Sequence, residues 1–313
     1  MMVSFWRLTM KHSHSPLLAA GLMLIGLLVV PAAAYDQPSV NLGFTSFLDG
    51  APPAGPGWYF TQYVEFYTAD KLANTGIPNP QVDVWAGLSQ IIYQSNQKVL
   101  LGGKWGIDLI VPLASIDSTP IPDNGAGIGD VLVGPYLQWD PIMGKNGPAF
   151  VHRIELQTIF PTGKYDDDKP LNPGSNFYSF DPYWAGTFFL YPKLEASWRV
   201  HYLWNGKNND PFIGYSAKDS QAGQAFHANF AASYEFVPKQ FRLGVNGYYF
   251  KQLEDSEIDG QPVLGREQVL GIGPGALVSF SQNTHLFLNA YWETSAKYRP
   301  EGERFIARLV HHF

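Results

Sequence analysis

Residues Leu194–Trp204 read LEASWRVHYLW. Alternate positions separate two chemistries: Leu194, Ala196, Trp198, Val200 and Tyr202 on one side, Glu195, Ser197, Arg199 and His201 on the other. A repeat of two is the side-chain period of a β-strand. A face crowded with Trp, Tyr and Leu, backed by one carrying full charges, suits a strand whose apolar side meets lipid and whose polar side meets a wet lumen. A soluble sheet would bury the first face in a core and keep the second in solvent.

The pattern recurs outward from this stretch in both directions. It appears in Trp58–Thr68, Val82–Tyr93, Val99–Val111, Asp130–Trp139, Ala149–Phe160 and Tyr178–Leu190, then in Phe226–Phe236, Phe241–Lys251, Leu270–Phe280, Leu286–Trp292 and Phe305–Phe313. With Leu194–Trp204 these make twelve segments, an even number as in bacterial single-chain barrels. In Val82–Tyr93 the series Val82, Val84, Ala86 and Leu88 opposes Asp83 and Ser89, and the same scheme turns that apolar series to lipid. Connections alternate in length. Gln94–Lys98, Tyr191–Lys193, Val237–Gln240 and Ser281–Asn283 are short, and Asp140–Pro148 is somewhat longer. Ala69–Gln81, Ala114–Gly129, Pro161–Phe177, Asn205–Ala225, Gln252–Gln268 and Thr294–Glu303 are long. This alternation predicts extracellular loops at one end, periplasmic turns at the other, and both termini at the periplasmic end. The fold class is therefore all-β, an antiparallel transmembrane β-barrel of 12 strands over residues 57–313.

Composition agrees. Among 313 residues aromatics are 15% and charged residues 15%, against about 25% charged in ordinary soluble domains. Mean hydropathy is −0.12, too low for a helical membrane protein. The absence of Cys excludes disulfide scaffolds, thiolate metal sites and thiol catalysis. A net charge of −6 argues against nucleic-acid binding. At the N-terminus, Arg7 and Lys11 precede the uncharged run Leu17–Val30, then Pro31 and Ala32–Ala34. This is the pattern of a cleaved Sec-type signal peptide, residues 1–34, because the run falls short of the about 20 residues a spanning helix needs. Residues 35–56, with Gly43, Gly50, Gly55, Pro52, Pro53 and Pro56 among Leu42, Phe44, Phe47 and Leu48, read as a periplasmic tail or as a plug entering the lumen.

The chain resembles the outer-membrane phenol meta-pathway degradation protein (MetA-like) transporter family. The stretches that carry the likeness run from Pro52-Pro53 and Gly57-Trp58-Tyr59 through Pro161-Thr162-Gly163-Lys164-Tyr165 and Asn172-Pro173-Gly174-Ser175-Asn176. They continue in His201–Asn205 with Lys207-Asn208, Gly223–His227, Arg242–Tyr249 with Gln252, Gly271–Gly275 and the Phe313 end. Order and spacing carry the likeness rather than any single motif. It implies a bacterial outer-membrane barrel passing small, often aromatic, compounds, and it supplies no catalytic residues.

Alternation assigns Lys104, Asp108, Arg153, Glu155, Glu195, Arg199, His201, Arg242, Glu293, Arg304 and Arg308 to the lumen, either lining a pore or closing an internal salt-bridge network. Glu195 with Arg199 and Arg153 with Glu155 are the pairs suggested by sequence proximity. Trp58, Tyr178, Trp204 and Tyr249 end their strands and are candidate rim aromatics for a hydrophobic solute. Phe313, closing an alternating strand, looks like the signal read by the barrel-insertion machinery. Asp166-Asp167-Asp168 with Asp181 is a candidate cation cluster or a solvated acidic loop. Otherwise no cofactor or resident metal is expected, since the Gly271-Ile272-Gly273 series lacks the strand-to-helix setting of phosphate binding. The expected partners are the bilayer, the insertion machinery and small hydrophobic or aromatic solutes. The leading reading is a passive channel. A general or oligosaccharide-selective porin is the alternative. A barrel lipase is the remaining rival: His152 falls in an outward series with Thr158 nearby, but no Ser/His/Asn spacing supports an enzyme.

Overall fold

The computed structural model describes residues 37–52, 54–145, 147–191 and 193–313; the expected signal peptide lies outside the described residues. The strands are β1 (Gly57–Leu72), β2 (Gln81–Lys98), β3 (Lys104–Thr119), β4 (Ala126–Ile128), β5 (Val131–Gln138), β6 (Ile142–Gly144), β7 (Gly147–Glu155), β8 (Thr158–Phe160), β9 (Ser179–Phe180) and β10 (Tyr183–Tyr191). They continue as β11 (Leu194–Asn205), β12 (Lys207–Asn208), β13 (Ser220–Gln221), β14 (Ala225–Val237), β15 (Phe241–Gln252), β16 (Ser256–Ile258), β17 (Gln261–Val263), β18 (Gln268–Ser279), β19 (Thr284–Lys297) and β20 (Pro300–His312). Twelve antiparallel staves close into a barrel, with β20 pairing back on β1 from Tyr59↔His312 to Leu72↔Pro300. Closure leaves no unpaired edge for lipid to meet.

Three neighbouring staves are each built from two segments: β4 with β5, β7 with β8, and β9 with β10. Pro182 stands in the third break and has no N–H for a ladder bond. The Leu156 N–H in the second break donates to Pro135 O at 3.0 Å. At one end of the barrel the turns are short, and β6 forms a hairpin with β7. At the other end the loops carry a small sheet, β12-β13-β16-β17.

Strands run past several expected ends: β3 reaches Thr119 and β4 covers Ala126–Ile128 within the expected loop Ala114–Gly129, and two connections differ most. The expected loop Thr294–Glu303 is mostly strand, leaving only Tyr298 and Arg299 between β19 and β20, with Tyr298 in the left-handed region at φ 52°. Likewise β2 runs through Gln94–Lys98 by way of a bulge, and the turn follows it. Alternation fades beyond the lipid-facing zone because both faces of a strand are wet there, so periodicity underestimates strand length.

The wall is apolar outside and polar inside. Trp58, Val64, Trp85, Ile107, Ile154, Trp184, Phe230, Val245, Ile272, Leu288 and Phe305 are exposed, whereas Glu65, Asp108, Glu155, Glu195, Asn229, Asn246 and Arg304 are buried. Register brings inward residues face to face, as in Glu195↔Ser233, Arg199↔Asn229 and His201↔His227. Among the described residues no helix is long and apolar enough to cross a membrane.

Candidate functional site

The N-terminal segment lies inside the barrel as a strap. Near the long-loop end, Gln37 donates to Gly223 O at 2.8 Å and accepts from Asn205 Nδ2 at 3.0 Å. Lower down, Asn229 donates to Asn41 O at 2.9 Å and accepts from the Gly43 N–H at 2.7 Å. Gly43 has φ +86°, and a Cβ there would stand 2.7 Å from the Tyr291 ring, whose hydroxyl donates to Gly43 O at 2.8 Å. No other residue fits both the turn and the contact. Leu42 and Phe47 are buried against inward-facing aromatics of the wall. The Gly50 N–H donates to Thr187 Oγ1 at 2.8 Å, and the chain reaches β1 at the short-turn end, where His312 Nε2 meets Pro56 O at 3.0 Å.

The strap divides the lumen into two cavities. The one toward the short turns, about 1160 Å³, is lined by Asp49, Arg153, Arg242, His285 and Arg308 among others. The one toward the long loops, about 290 Å³, has an apolar side formed by Val82, Val84, Ala86 and Leu88 of β2, Ile110 and Ile116 of β3, Leu132 of β5, Phe177, and Leu42 and Phe44 of the strap, and a polar side that includes Glu65, Asp130, Arg199 and Arg304. Tyr63, Gln90 and Arg199 border both. The two cavities meet at that level. Asp49 of the strap grips Arg199 with two bonds of 2.7 Å, while Tyr63 donates to Gln90 at 2.9 Å and Gln90 to Asp108 at 2.7 Å.

The apolar inner wall corrects the reading of β2. Val82, Val84, Ala86 and Leu88 face inward, and Asp83, Trp85 and Ile91 lie on the opposite side, with Trp85 57% exposed. Alternation reports two faces without saying which is inner, so the expectation that this apolar series meets lipid does not hold. Trp85, Ile91 and Tyr93, in register with one another, were the available signal.

The other lumen candidates are found inside with defined partners. Arg153 lies over the Tyr136 and Tyr183 rings at 5.4 and 5.6 Å, and Arg199 over Tyr183 at 4.1 Å. Glu155 accepts from Tyr183 and Gln157, Glu195 from Ser197 and Ser233. The suggested pair Glu195–Arg199 does not form: four residues along a strand span about 13 Å, and Arg199 is taken by Asp49. Arg153 and Glu155 likewise take other first partners. Arg304 binds Glu65 at 2.7 Å. Glu293 accepts from Tyr67 and Tyr248, each at 2.7 Å. Arg242 donates to Ser233 at 3.0 Å, and Arg308 lies 3.7 Å over Phe287. His201 meets Asp181. Lys104 sits at the short-turn mouth on Asp140 at 2.6 Å, with Lys98 on the same carboxylate at 2.9 Å. These two ammonium groups hold the Asp140 carboxyl below the usual carboxylate range.

Trp58 stands at the short-turn end and Tyr178, Trp204 and Tyr249 at the other. Trp58, Tyr178 and Trp204 are exposed on the outer wall, the position of an aromatic girdle. Phe313 is exposed at the end of β20, its N–H donating to Trp58 O at 3.0 Å. His152 lies outside, stacked on Trp139 at 4.6 Å and Phe150 at 5.2 Å.

Asp166–Asp168 stay in their loop, apart from Asp181, which is buried beside His201 and His227. In the same loop, Tyr165 donates to Asp210 O, and burial raises its phenol above the ordinary value. Asp130 gathers the loop ends: it accepts from the Gly163 N–H at 2.9 Å and the Ser175 N–H at 2.8 Å. A Cβ on Gly163 would fall 2.7 Å from Gly174 Cα, so both glycines are required by this crossing. Pro173, Gly174 and Ser175 thereby cap the smaller cavity.

Residues 67–309 match the model of the family described as the MetA-pathway of phenol degradation. The chain belongs to this family. Its fold is similar to that of an outer membrane channel from Pseudomonas putida F1, with TM-score 0.73 and 18% identity over 88% of this chain and 100% of that one. A NanC porin aligns at TM-score 0.46 and 9% identity over 81% of this chain and 99% of that one. The CymD monoaromatic hydrocarbon channel aligns at 0.38 and 8% over 83% and 91%. No curated protein matches the chain in sequence.

Proposed function

We infer that this member of the phenol-degradation family is a passive channel of the bacterial outer membrane for small hydrophobic or aromatic compounds. The observation that carries the reading is the lumen cavity of about 290 Å³, one side of which is apolar in an otherwise polar lumen. An apolar cavity of about 150 Å³ suffices for benzene. Burying an aromatic ring removes about 150–250 Å² from water, which at about 25 cal/mol per Å² is worth about 4–6 kcal/mol before immobilisation is counted. Such weak, reversible binding suits a conduit, which must capture a solute and release it. The long-loop end then faces outside, so solute meets the recess first and the Arg199 constriction second. An anion-selective oligosaccharide porin would need a basic ladder, whereas Asp49, Asp108 and Glu155 stand beside Arg153 and Arg199 here. Export by the signal peptide and recognition of Phe313 by the insertion machinery belong to the same reading.

The test is uptake of labelled monoaromatics into liposomes bearing the folded barrel. Leu88→Asp and Ile110→Asp are expected to reduce aromatic flux several-fold while leaving ion conductance within about twofold, since a charge in the recess opposes only the apolar solute. Equal loss of both fluxes, or no loss of either, rejects the recess as the selective element.

A further inference from the structure

Three lumen side chains form a group that the proposed conduit does not use. Asp181 stands in the break between β9 and β10, while His201 of β11 and His227 of β14 face each other in register. His201 Nδ1 is 3.0 Å from Asp181 Oδ2, and His227 Nε2 is 3.0 Å from Oδ1 and 3.3 Å from Oδ2. The two imidazoles stack at 4.0 Å, and all three residues are buried. One ligand atom from each lies within 4.8 Å of the others.

We propose that Asp181, His201 and His227 bind a divalent transition-metal ion of the Zn²⁺ class. The donor set of two imidazoles and a carboxylate suits Zn²⁺, Cu²⁺, Fe²⁺ or Ni²⁺ and is poor for Mg²⁺ or Ca²⁺, which take oxygen. The spacing fits. Tetrahedral Zn²⁺ with bonds of about 2.0–2.2 Å separates its ligand atoms by about 3.3–3.5 Å. The two His–Asp contacts of 3.0 and 3.3 Å lie within a few tenths of an ångström of that spacing, and the two imidazole nitrogens lie within 4.8 Å of each other.

Proton balance is also met without moving a proton off the protein. In the hydrogen-bonded arrangement His201 Nδ1 and His227 Nε2 carry the ring protons toward Asp181. Metal takes those lone pairs, and the protons pass to His201 Nε2 and His227 Nδ1. Both of those nitrogens are buried and have no hydrogen-bond partner among the described residues, so they are free to take the protons, and the two N–H···Asp181 hydrogen bonds are exchanged for bonds to the metal. The carboxylate offsets one of the ion's two charges.

The setting gives the ion a mechanical role. It would tie Asp181 of the broken stave to β11 and β14, where the break removes ladder bonds. The strap brackets the site, held at Asn205 and Gly223 on one side and at Asn229 on the other. An ion therefore arrives through the lumen, past the strap.

The untagged mature chain in detergent is stripped with a chelator and titrated with Zn²⁺ by calorimetry, and bound metal is counted by mass spectrometry after desalting. One ion per chain is expected. His201→Gln, His227→Gln and Asp181→Asn should each weaken binding about tenfold or more, and Asp168→Asn should not. Heat-modified migration reports whether each variant is a folded barrel. X-ray absorption of the wild-type Zn²⁺ complex gives an arm independent of the variants, with two imidazole ligands expected. No binding, equal binding in folded histidine variants, or an all-oxygen shell overturns the site.

Discussion

Replacing Asp49 with Ala tests whether the strap sets the constriction. Asp49 and Arg199 are both buried and share two bonds of 2.7 Å. Removing one partner of a buried ion pair costs about 3–5 kcal/mol, because the other charge is left without compensation. Arg199 keeps the Tyr183 ring at 4.1 Å, which places the loss at the low end, about 3 kcal/mol. The barrel does not have to unfold to relieve it. Releasing the strap lets water reach the guanidinium, so the cost falls on the ratio of seated to released strap, a factor of about 150. In planar bilayers the ratio of time at a high-conductance level to time at the resting level is then expected to rise about 100-fold. Asp49→Asn, which keeps one acceptor, should fall between. Gly43→Val should act in the same direction, since its side chain would collide with Tyr291. Unchanged single-channel records for folded Asp49→Ala, beside unchanged records after deletion of residues 37–52, would refute the idea that the strap limits passage.

Three further outcomes follow from the fold. Cysteines introduced at the exposed loop residues Asp168 and Glu257 should react with impermeant thiol reagents on intact cells and one at Asn283 should not; labelling only at 283 inverts the orientation. Deleting Phe313 should reduce heat-modifiable barrel in the outer membrane, and normal assembly would remove the recognition role of that residue. At the short-turn mouth, Asp140 is held below the usual carboxylate range by Lys104 and Lys98, so its contribution is present above the unfolded value near about 3.9 and is lost only as pH falls below it. Because the pair is exposed, Asp140→Asn should change thermal stability by under about 1 kcal/mol between pH 5 and 8; a larger change there means that Asp140 does more than anchor the two lysines.

Much of this architecture is visible in the chain. The alternation of Leu194–Trp204 gives β11 and its inner face, and Glu195, Arg199 and His201 point inward. What alternation cannot supply is which residue on another element a lumen charge meets. Asp49 lies in a segment without periodicity, yet it is the partner of Arg199. Proximity in sequence groups Asp181 with the acidic triplet Asp166–Asp168, but the His201↔His227 register brings two imidazoles to it instead. The inversion of β2 has the same origin. An apolar series satisfies lipid and an apolar recess equally, and only the neighbouring staves decide.

The recess and the strap make sense of each other. A lumen lined throughout by charges and amides would hold ordered water and offer a hydrophobic solute nothing, while a lumen apolar throughout would strand that solute at its deepest point. Here Val82, Val84 and Leu88 form one side of the recess, and the strap supplies the other with Leu42 and Phe44. Immediately below, the same strap presents Asp49 to Arg199. On the proposed reading, one segment completes the apolar side of the site and closes the passage at Arg199. Strap displacement would weaken solute binding in the same motion that widens the passage toward the larger cavity. Release would be coupled to opening, as a passive conduit for poorly soluble molecules requires. The coupling has a measurable sign: in the Asp49→Ala barrel, affinity for a monoaromatic should fall as open time rises. Tighter binding in that variant would separate the two roles and leave the recess as a site formed by the wall alone.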